Sequence, residues 1–138
     1  MSVIETPVSF GELIDKMTIL EIKLQEIKDD AKLANVRTEY ELLGATWNNH
    51  EASKTDISDE RRRLLEVNQR LWKIEDDIRI LEKAQSFEDD FVQLARSVYR
   101  ENDERAAIKR EINLKLGSTL VEEKSYQDYR APKVQAPL

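Results

Sequence analysis

A chain of 138 residues with a net charge of −6 and no cysteine is long enough for one domain with its own core. The charge disfavours a general nucleic-acid or anionic-membrane role, and the missing cysteine excludes disulfides and thiolate metal sites. No apolar run approaches the ~18 residues of a membrane span, and with 36% charged residues, 3 Gly and 3 Pro the composition suits long amphipathic helices better than a sandwich or barrel.

Residues 1–8, which include Pro7, read as extended, and MSVIETPVSFGEL lacks the basic n-region of a secretion signal. With no cysteine either, the expected setting is cytoplasmic. Ser9-Phe10-Gly11-Glu12 is a capping-box pattern that opens a helix expected over about 10–28. There Leu13, Met17, Leu20, Leu24 and Ile27 form a coiled-coil-like heptad seam, which Phe10 and Ile14 widen into a bundle stripe. Asp29-Asp30 breaks the pattern, and Asp30 is the expected cap of a second helix over about 31–48, carrying Leu33, Val36, Tyr40, Leu43 and Trp47. So short a break predicts an antiparallel hairpin, with Leu24 level with Val36, Leu20 with Tyr40 and Leu13 with Trp47.

Asn48 to Ile57 is polar and turn-rich and is expected to be a mobile loop. Its His50, the only histidine, has no second His or Cys with which to hold a metal and reads as solvated. A third helix is expected over about 59–84 on the seam Leu64, Val67, Leu71, Ile74, Ile78 and Leu81. On its flank lies a second strip, Asn68, Trp72, Glu75 and Arg79. Arg61-Arg62-Arg63 sits among acids and reads as a solvated face. Gln85-Ser86 carries neither Gly nor Pro, so a hairpin and one bent helix both fit it. A fourth helix is expected over about 87–116, ~45 Å long, with Ser86 as its cap and Gly117 as its stop. In a hairpin, Trp72 faces Tyr99, Glu75 faces Arg96, and Asn68 faces Asn102 and Asp103. After Gly117, Leu120-Val121 can pin an extended tail, from which Glu122, Lys124 and Tyr126 are candidates to reach the bundle. Residues 130–138, with two prolines, are expected to be disordered.

The fourth helix points to a site. Its stripe runs Phe91, Leu94 and Val98, then Ile112 and Leu116; between these ends the same stripe carries Asn102, Arg105 and Lys109. A buried unpaired cation is prohibitive, so each must be paired or hydrated. Polar residues that set helix register or snorkel to water would satisfy this, as would a ligand cavity or a partner interface. In a cavity, Asn102, Arg105 and Lys109, with Asn68, Trp72, Glu75, Arg79, Arg96, Tyr99 and Asp103 around them, suit a small anion, because arginine offers a bidentate fork to carboxylate or phosphate. Bundles of this kind can catalyse by positioning and electrostatics alone. Small helical chorismate mutases are an analogy of residue type and fold class, but no motif of theirs aligns here. Glu75 is the seam-adjacent carboxylate available as a general acid or base, or as an ion-pair partner. No catalytic residue is assigned, and the sequence does not decide between an enzyme and a binding protein. No metal or cofactor is expected: the paired Glu-x-x-His of di-iron bundles and the Walker, Gly-x-Gly-x-x-Gly and Gly-x-Ser-x-Gly motifs are absent.

The segments VSFGELIDK (Val8 to Lys16), KLANVR (Lys32 to Arg37), LWKIEDDIR (Leu71 to Arg79), NDERAAIKREIN (Asn102 to Asn113) and GSTLVEEKSY (Gly117 to Tyr126) resemble an uncharacterised family of short bacterial proteins, a domain of unknown function, over about residues 1–129. The resemblance implies no established activity. It implies an accessory role beside the glycosyltransferase or surface-polysaccharide genes near which members are often encoded. Its motifs fall on the polar band and the tail, at Trp72, Glu75, Arg79, Asn102, Asp103, Arg105, Lys109, Glu122, Lys124 and Tyr126, and confer a role on none of them.

The expected fold is all-α, two antiparallel helical hairpins in a four-helix bundle over 1–129, the second hairpin longer. The overhang leaves apolar surface, so a homodimer is expected. The leading function is a non-enzymatic interaction or accessory protein with a protein partner. The second is a small-anion-binding helical protein or enzyme, its pocket between helices three and four. The two differ on Arg105→Met: a register or snorkelling role tolerates it, and a pocket loses its ligand response while the fold survives.

Overall fold

Ser9 opens the first helix as its position predicts. In the computed structural model, which describes residues 2–130, its hydroxyl accepts from the Glu12 amide at 3.1 Å and starts α1, Phe10–Glu26. The capping box stays half made, because the Glu12 carboxylate takes the Lys109 ammonium instead. α1 stops two residues short of Lys28, and α2, Asp30–Asn48, is capped by Asp29 rather than Asp30. The Asp29 carboxylate accepts from the Ala31 amide at 3.3 Å. α3 spans Ser58–Lys83 and α4 spans Asp89–Leu116. No strand occurs among the described residues. The architecture is all-α: two antiparallel hairpins in a four-helix bundle, the second the longer.

The segment expected to be a mobile loop carries a 3-10 turn, Glu51–Lys54. His50 is exposed, as expected, yet it has partners. Its Nδ1 accepts from the Ala52 amide at 3.0 Å, and its ring meets the Phe10 edge at 5.1 Å. The arginine run is a network of ion pairs, Arg61 to Glu21, Arg62 to Asp59 and Glu66, and Arg63 to Asp59 and Glu111.

Between α3 and α4 the chain reverses, which excludes the bent-helix alternative. Gln85 adopts φ +55°, the left-handed region. The Gln85 and Ser86 amides then return to the Glu82 and Leu81 carbonyls at 3.0 and 2.9 Å, the double bond of a Schellman stop. Gly117, at φ +66°, ends α4 through the matching pair to Leu114 and Asn113. The stop removes Phe87 from the expected start of α4, so Glu88 becomes the N-cap, without a side-chain bond, and Ser86 does not cap. A side chain in this region costs about 1–2 kcal/mol. Gln85→Gly is therefore expected to raise stability by about 1 kcal/mol in urea unfolding, and an unchanged midpoint would count against this account of the turn.

α1 is the central element. It packs on α2, α3 and α4, and α3 packs on α4. The core joins Leu13, Ile14 and Met17 of α1 to Trp47, Ile57, Leu64, Val67, Ile108 and Ile112. Leu13 and Trp47 share it, as level positions should; Tyr40 packs against it, and its hydroxyl donates to Glu21, beside the expected Leu20, at 2.9 Å. Burial of these side chains supplies most of the driving force, at about 1.5–3 kcal/mol each. The core ends early. From Trp72 to Ala107 no residue is buried. Glu26, at the end of α1, lines a cavity with Asp76 and Asp77, and α3 continues to Lys83, about 10 Å further. The end of α3 and the start of α4 thus project as an arm, with Ile80 64%, Phe87 48% and Val92 46% exposed.

Candidate functional site

The polar seam of α4 meets α1, and its hidden partner is Asp15, whose side chain is 1% exposed. Arg105 forks onto this carboxylate, Nε donating to Oδ1 at 2.8 Å and Nη2 to Oδ2. Asn68 of α3 donates to the same Oδ1 and to the Thr18 hydroxyl, both at 2.9 Å. Thr18 in turn donates to the Asp15 carbonyl at 2.7 Å. One turn along α4, the Lys109 ammonium donates to Glu12 at 2.7 Å and to Glu122 of the tail at 2.9 Å. One turn further, the Gly11 amide donates to the Asn113 side chain at 2.7 Å. Here α1 and α4 are so close that a Cβ on Gly11 would lie 2.4 Å from the Lys109 carbonyl oxygen.

The electrostatics follow from these contacts. Hydrogen bonding to Asp15 raises the Arg105 pKa against the opposing effect of burial. Burial pulls Lys109 down, but its bonds to Glu12 and Glu122 outweigh this and the net shift is upward. Glu122 is held below the usual carboxylate range by Lys109. Both cations are therefore fixed in their charged forms and already neutralised. Two cations face three carboxylates, Asp15, Glu12 and Glu122, a net of −1. An anion entering here meets like charge.

The expected site residues fall into separate places. Asn68, Trp72, Glu75, Arg79, Asn102 and Arg105 line one groove of about 550 Å³ with Ile19 of α1. Tyr99 and Asp103 line another, of about 500 Å³, with Lys124, Tyr126 and Tyr129 of the tail. Lys109 sits in the ion-pair cluster, and Arg96 reaches only Gln93, at 3.4 Å. The expected facing band is thus split. Trp72 lines the α1 side, while the Tyr99 ring turns to Tyr129, centroids 4.6 Å apart. Glu75 pairs with Arg79, one turn away on its own helix, rather than reaching across to Arg96.

Glu12, Asp15, Thr18 and Asn113 complete the cluster without being among the expected site residues, because in the sequence the carboxylate beside the polar strip is Glu75 of α3. A signal was present. Gly11, Asp15, Thr18 and Ile22 recur at 4, 3 and 4 beside the α1 seam, the same pattern as Asn68, Trp72, Glu75 and Arg79, and all four are buried.

The described tail, 118–130, runs back along α4. Glu122 holds Lys109, Glu123 accepts from Arg110 at 2.9 Å, and Lys124 reaches the Asn102 carbonyl at 3.5 Å. Lys124 also lies over the Tyr126 ring, 5.4 Å from its centroid. Arg130, at the start of the stretch expected to be disordered, pairs with Asp128; the rest of that stretch, 131–138, lies outside the described residues. Because the folded pKa of Glu122 is depressed, its contribution is complete above the ordinary Glu range of about 4.3 and fades as pH falls through the depressed value. Amide NMR signals of residues 122–126 are expected to move toward coil values as the pH is taken below the ordinary Glu range of about 4.3, while those of the helices hold. Tail signals that stay fixed would show that Glu122 is not the clasp.

The family of unknown function DUF6165 matches residues 4–135. The chain belongs to this family. No curated protein and no solved structure matches it. The DUF6165 match takes in the whole ion-pair cluster and the tail that clasps it, and the family brings no activity to either. Among the described residues no three His, Cys, Asp or Glu are grouped to hold a metal ion, and no helix is long and apolar enough to cross a membrane.

Proposed function

We propose that this protein is a non-enzymatic interaction protein whose contact surface is the projecting α3/α4 arm. The ionic cluster on α1 is the joint that fixes the arm in place. The observation that carries this reading is the run from Trp72 to Ala107 without a buried residue. Ile74, Ile78, Leu81, Phe91, Leu94 and Val98 keep the bundle pattern through it, yet a two-helix arm covers each of them only in part. The polar seam supports the same reading, since its cations are occupied by carboxylates of the same chain. In this reading the protein works in the cytoplasm of a bacterium, and the surface-polysaccharide setting implied by the family resemblance is one place for its partner.

The test is site-specific photo-crosslinking in the native host, with the reactive residue at Ile80 or Val92 on the arm and at Leu42 on α2 as control. Adducts from the arm and none from α2 are expected. Equal adducts, or none from the arm, would overturn the proposal. A second copy is the occupant that the overhang alone suggests, and sedimentation at tens of micromolar decides it, a stable monomer removing the homodimer.

One observation favours the small-anion reading. Arg105 Nη1 has only a 3.4 Å contact with Asn102 and borders the 550 Å³ groove. A thermal-shift screen against phosphosugars, nucleotide sugars, dicarboxylates and phosphate tests it. A ligand at 100 times its Kd stabilises by about 2.7 kcal/mol, and silence across the screen removes the reading.

A further inference from the structure

On one face of the arm α3 and α4 part, beside the cavity in which Asp77 and Ile80 also meet the end of α1. Nearer the bundle this face is bridged by Arg70, which pairs with Glu101 and Glu104 across the two helices. Asp77 lies one heptad beyond Arg70 and Ser97 one heptad before Glu104, so both continue the same face toward the tip. There the bridge gives way to a groove of about 450 Å³ with Ile80, Leu81 and Leu94 as its apolar residues and Asp77 and Asp90 among its polar ones.

The charge around this groove is one-sided. From Asp76 to Leu94 the chain carries six acids and two cations, a net of −4 out of −6 for the whole protein. Part of this charge is paired along α3, Lys73 with Asp77 and Arg79 with Glu75, as surface charges are at Arg62, Arg63, Arg70 and Lys115. Among the described residues Asp76, Glu82 and Glu88 to Asp90 form no ion pair. Glu88 to Asp90 complement the α4 dipole at its first turn, but Asp76 and Glu82 have no such role.

Resting on the arm as the contact surface, we infer that this groove receives a basic amphipathic helix of another protein. The apolar groove needs apolar anchors. Anchors at i, i+3 or i+4, and i+7 span about 10 Å, the rise from Asp90 to Ser97 along the groove wall. The rim decides the flanks. A neutral or acidic partner desolvates Asp90 without pairing it and strips water from the Lys73–Asp77 pair, whereas Lys or Arg beside the anchors meets Asp90 and the Asp77 oxygen that Lys73 leaves open. The same argument rejects a second copy set tip to tip, which brings two surfaces of −4 together. An anionic membrane or a nucleic acid is rejected likewise.

The experiment uses the full chain and three labelled helical peptides that share length and composition class. One has an apolar stripe with Lys/Arg flanks, one the same stripe with Glu flanks, and one Lys/Arg flanks with the stripe scrambled. Fluorescence anisotropy is expected to show saturable binding of the first alone, weakening as salt rises. Ile80→Ser, at a well-exposed position, and the pair Asp77→Lys/Asp90→Lys are each expected to weaken it about tenfold or more, with unchanged circular dichroism. The charge-reversed pair is expected to gain binding of the Glu-flanked peptide, a rescue that a merely damaged fold does not give. Equal binding of the scrambled peptide, indifference to Ile80→Ser, or no binding of the first peptide overturns the inference. If arm cross-links form in cells while the peptide arm of the test fails, the basic-helix inference falls and the interaction reading stands. Absence of both removes the two together. A cross-link from Ile80 to a second copy of the chain also overturns the inference.

Discussion

Arg105→Met is expected to destabilise the fold by about 3–5 kcal/mol, the cost of leaving a buried charge without its partner. Asp15 is closed off from water and would keep only Asn68 as a side-chain donor. Arg105 itself is 29% exposed, so its own desolvation is the smaller problem. For that reason Asp15→Ala is expected to cost less, since the freed guanidinium can turn to the water of the 550 Å³ groove that it already lines. The double change Asp15→Leu/Arg105→Met replaces both charges with apolar volume and is expected to recover most of the loss. Urea unfolding of the four proteins gives the cycle. A single Arg105→Met within about 1 kcal/mol of the parent would show that the seam is not held by this pair. The tolerance expected of this change on sequence alone considered the cation and its stem; the buried carboxylate reverses the sign.

Gly11→Ala is the second large effect, and intrinsic preference points the wrong way for it. Alanine is favoured over glycine in a helix by about 0.8–1.0 kcal/mol. At Gly11 the new methyl lands on the Lys109 carbonyl oxygen at 2.4 Å and on the Asn113 oxygen at 3.0 Å. The Lys109 carbonyl is backbone of a neighbouring helix and cannot swing aside as a flexible side-chain end would, so α1 must lift from α4. Overpacking of about 1–3 kcal/mol and loss of a buried hydrogen bond of similar size add to a net cost of about 2–5 kcal/mol. Gly44 supplies the control, since a Cβ there meets nothing within 4 Å and the residue lies inside α2. Gly44→Ala is expected to stabilise by about 0.5–1 kcal/mol. Two Gly→Ala changes of opposite sign in one protein, measured by thermal unfolding, test the close approach directly. A stabilising Gly11→Ala would show that the helices are further apart.

Much of the fold was legible because it is written locally. Heptad seams set four helices, Ser9 marks a start and Gly117 a stop, and each signal is read within a few residues. The turn at Gln85 was not legible, because its left-handed residue lacks the glycine that advertises such a stop. The cap of α2 fell on the first of two adjacent aspartates, and composition cannot choose between them. At the site, the placement of polar groups on the α4 stripe was readable, and six of those expected share a groove. Their partners were not. Asp15 and Arg105 are 90 residues apart, Glu12 and Lys109 are 97 apart, and periodicity on one helix says nothing about which helix lies opposite. That α1 would be the element touching every other helix is likewise a property of the assembled bundle.

The order of synthesis gives α1 a particular history. It is made before the other three helices, yet its inner face finds its final neighbours only when residues 105–113 arrive. At 5–20 residues per second, the span from Glu26 to Leu116 takes on the order of 5–20 s to make. Through that interval α1 can pair with α2 but waits for its other side. A continuous apolar stripe held open so long invites association with whatever else is unfolded nearby. The α1 stripe is flanked by Asp15, Thr18 and the bare backbone of Gly11, which make this side of the helix a poor match for any surface except one that offers an arginine, an amide and room for close approach. The residues that lock the finished bundle therefore also protect the nascent chain from the wrong one.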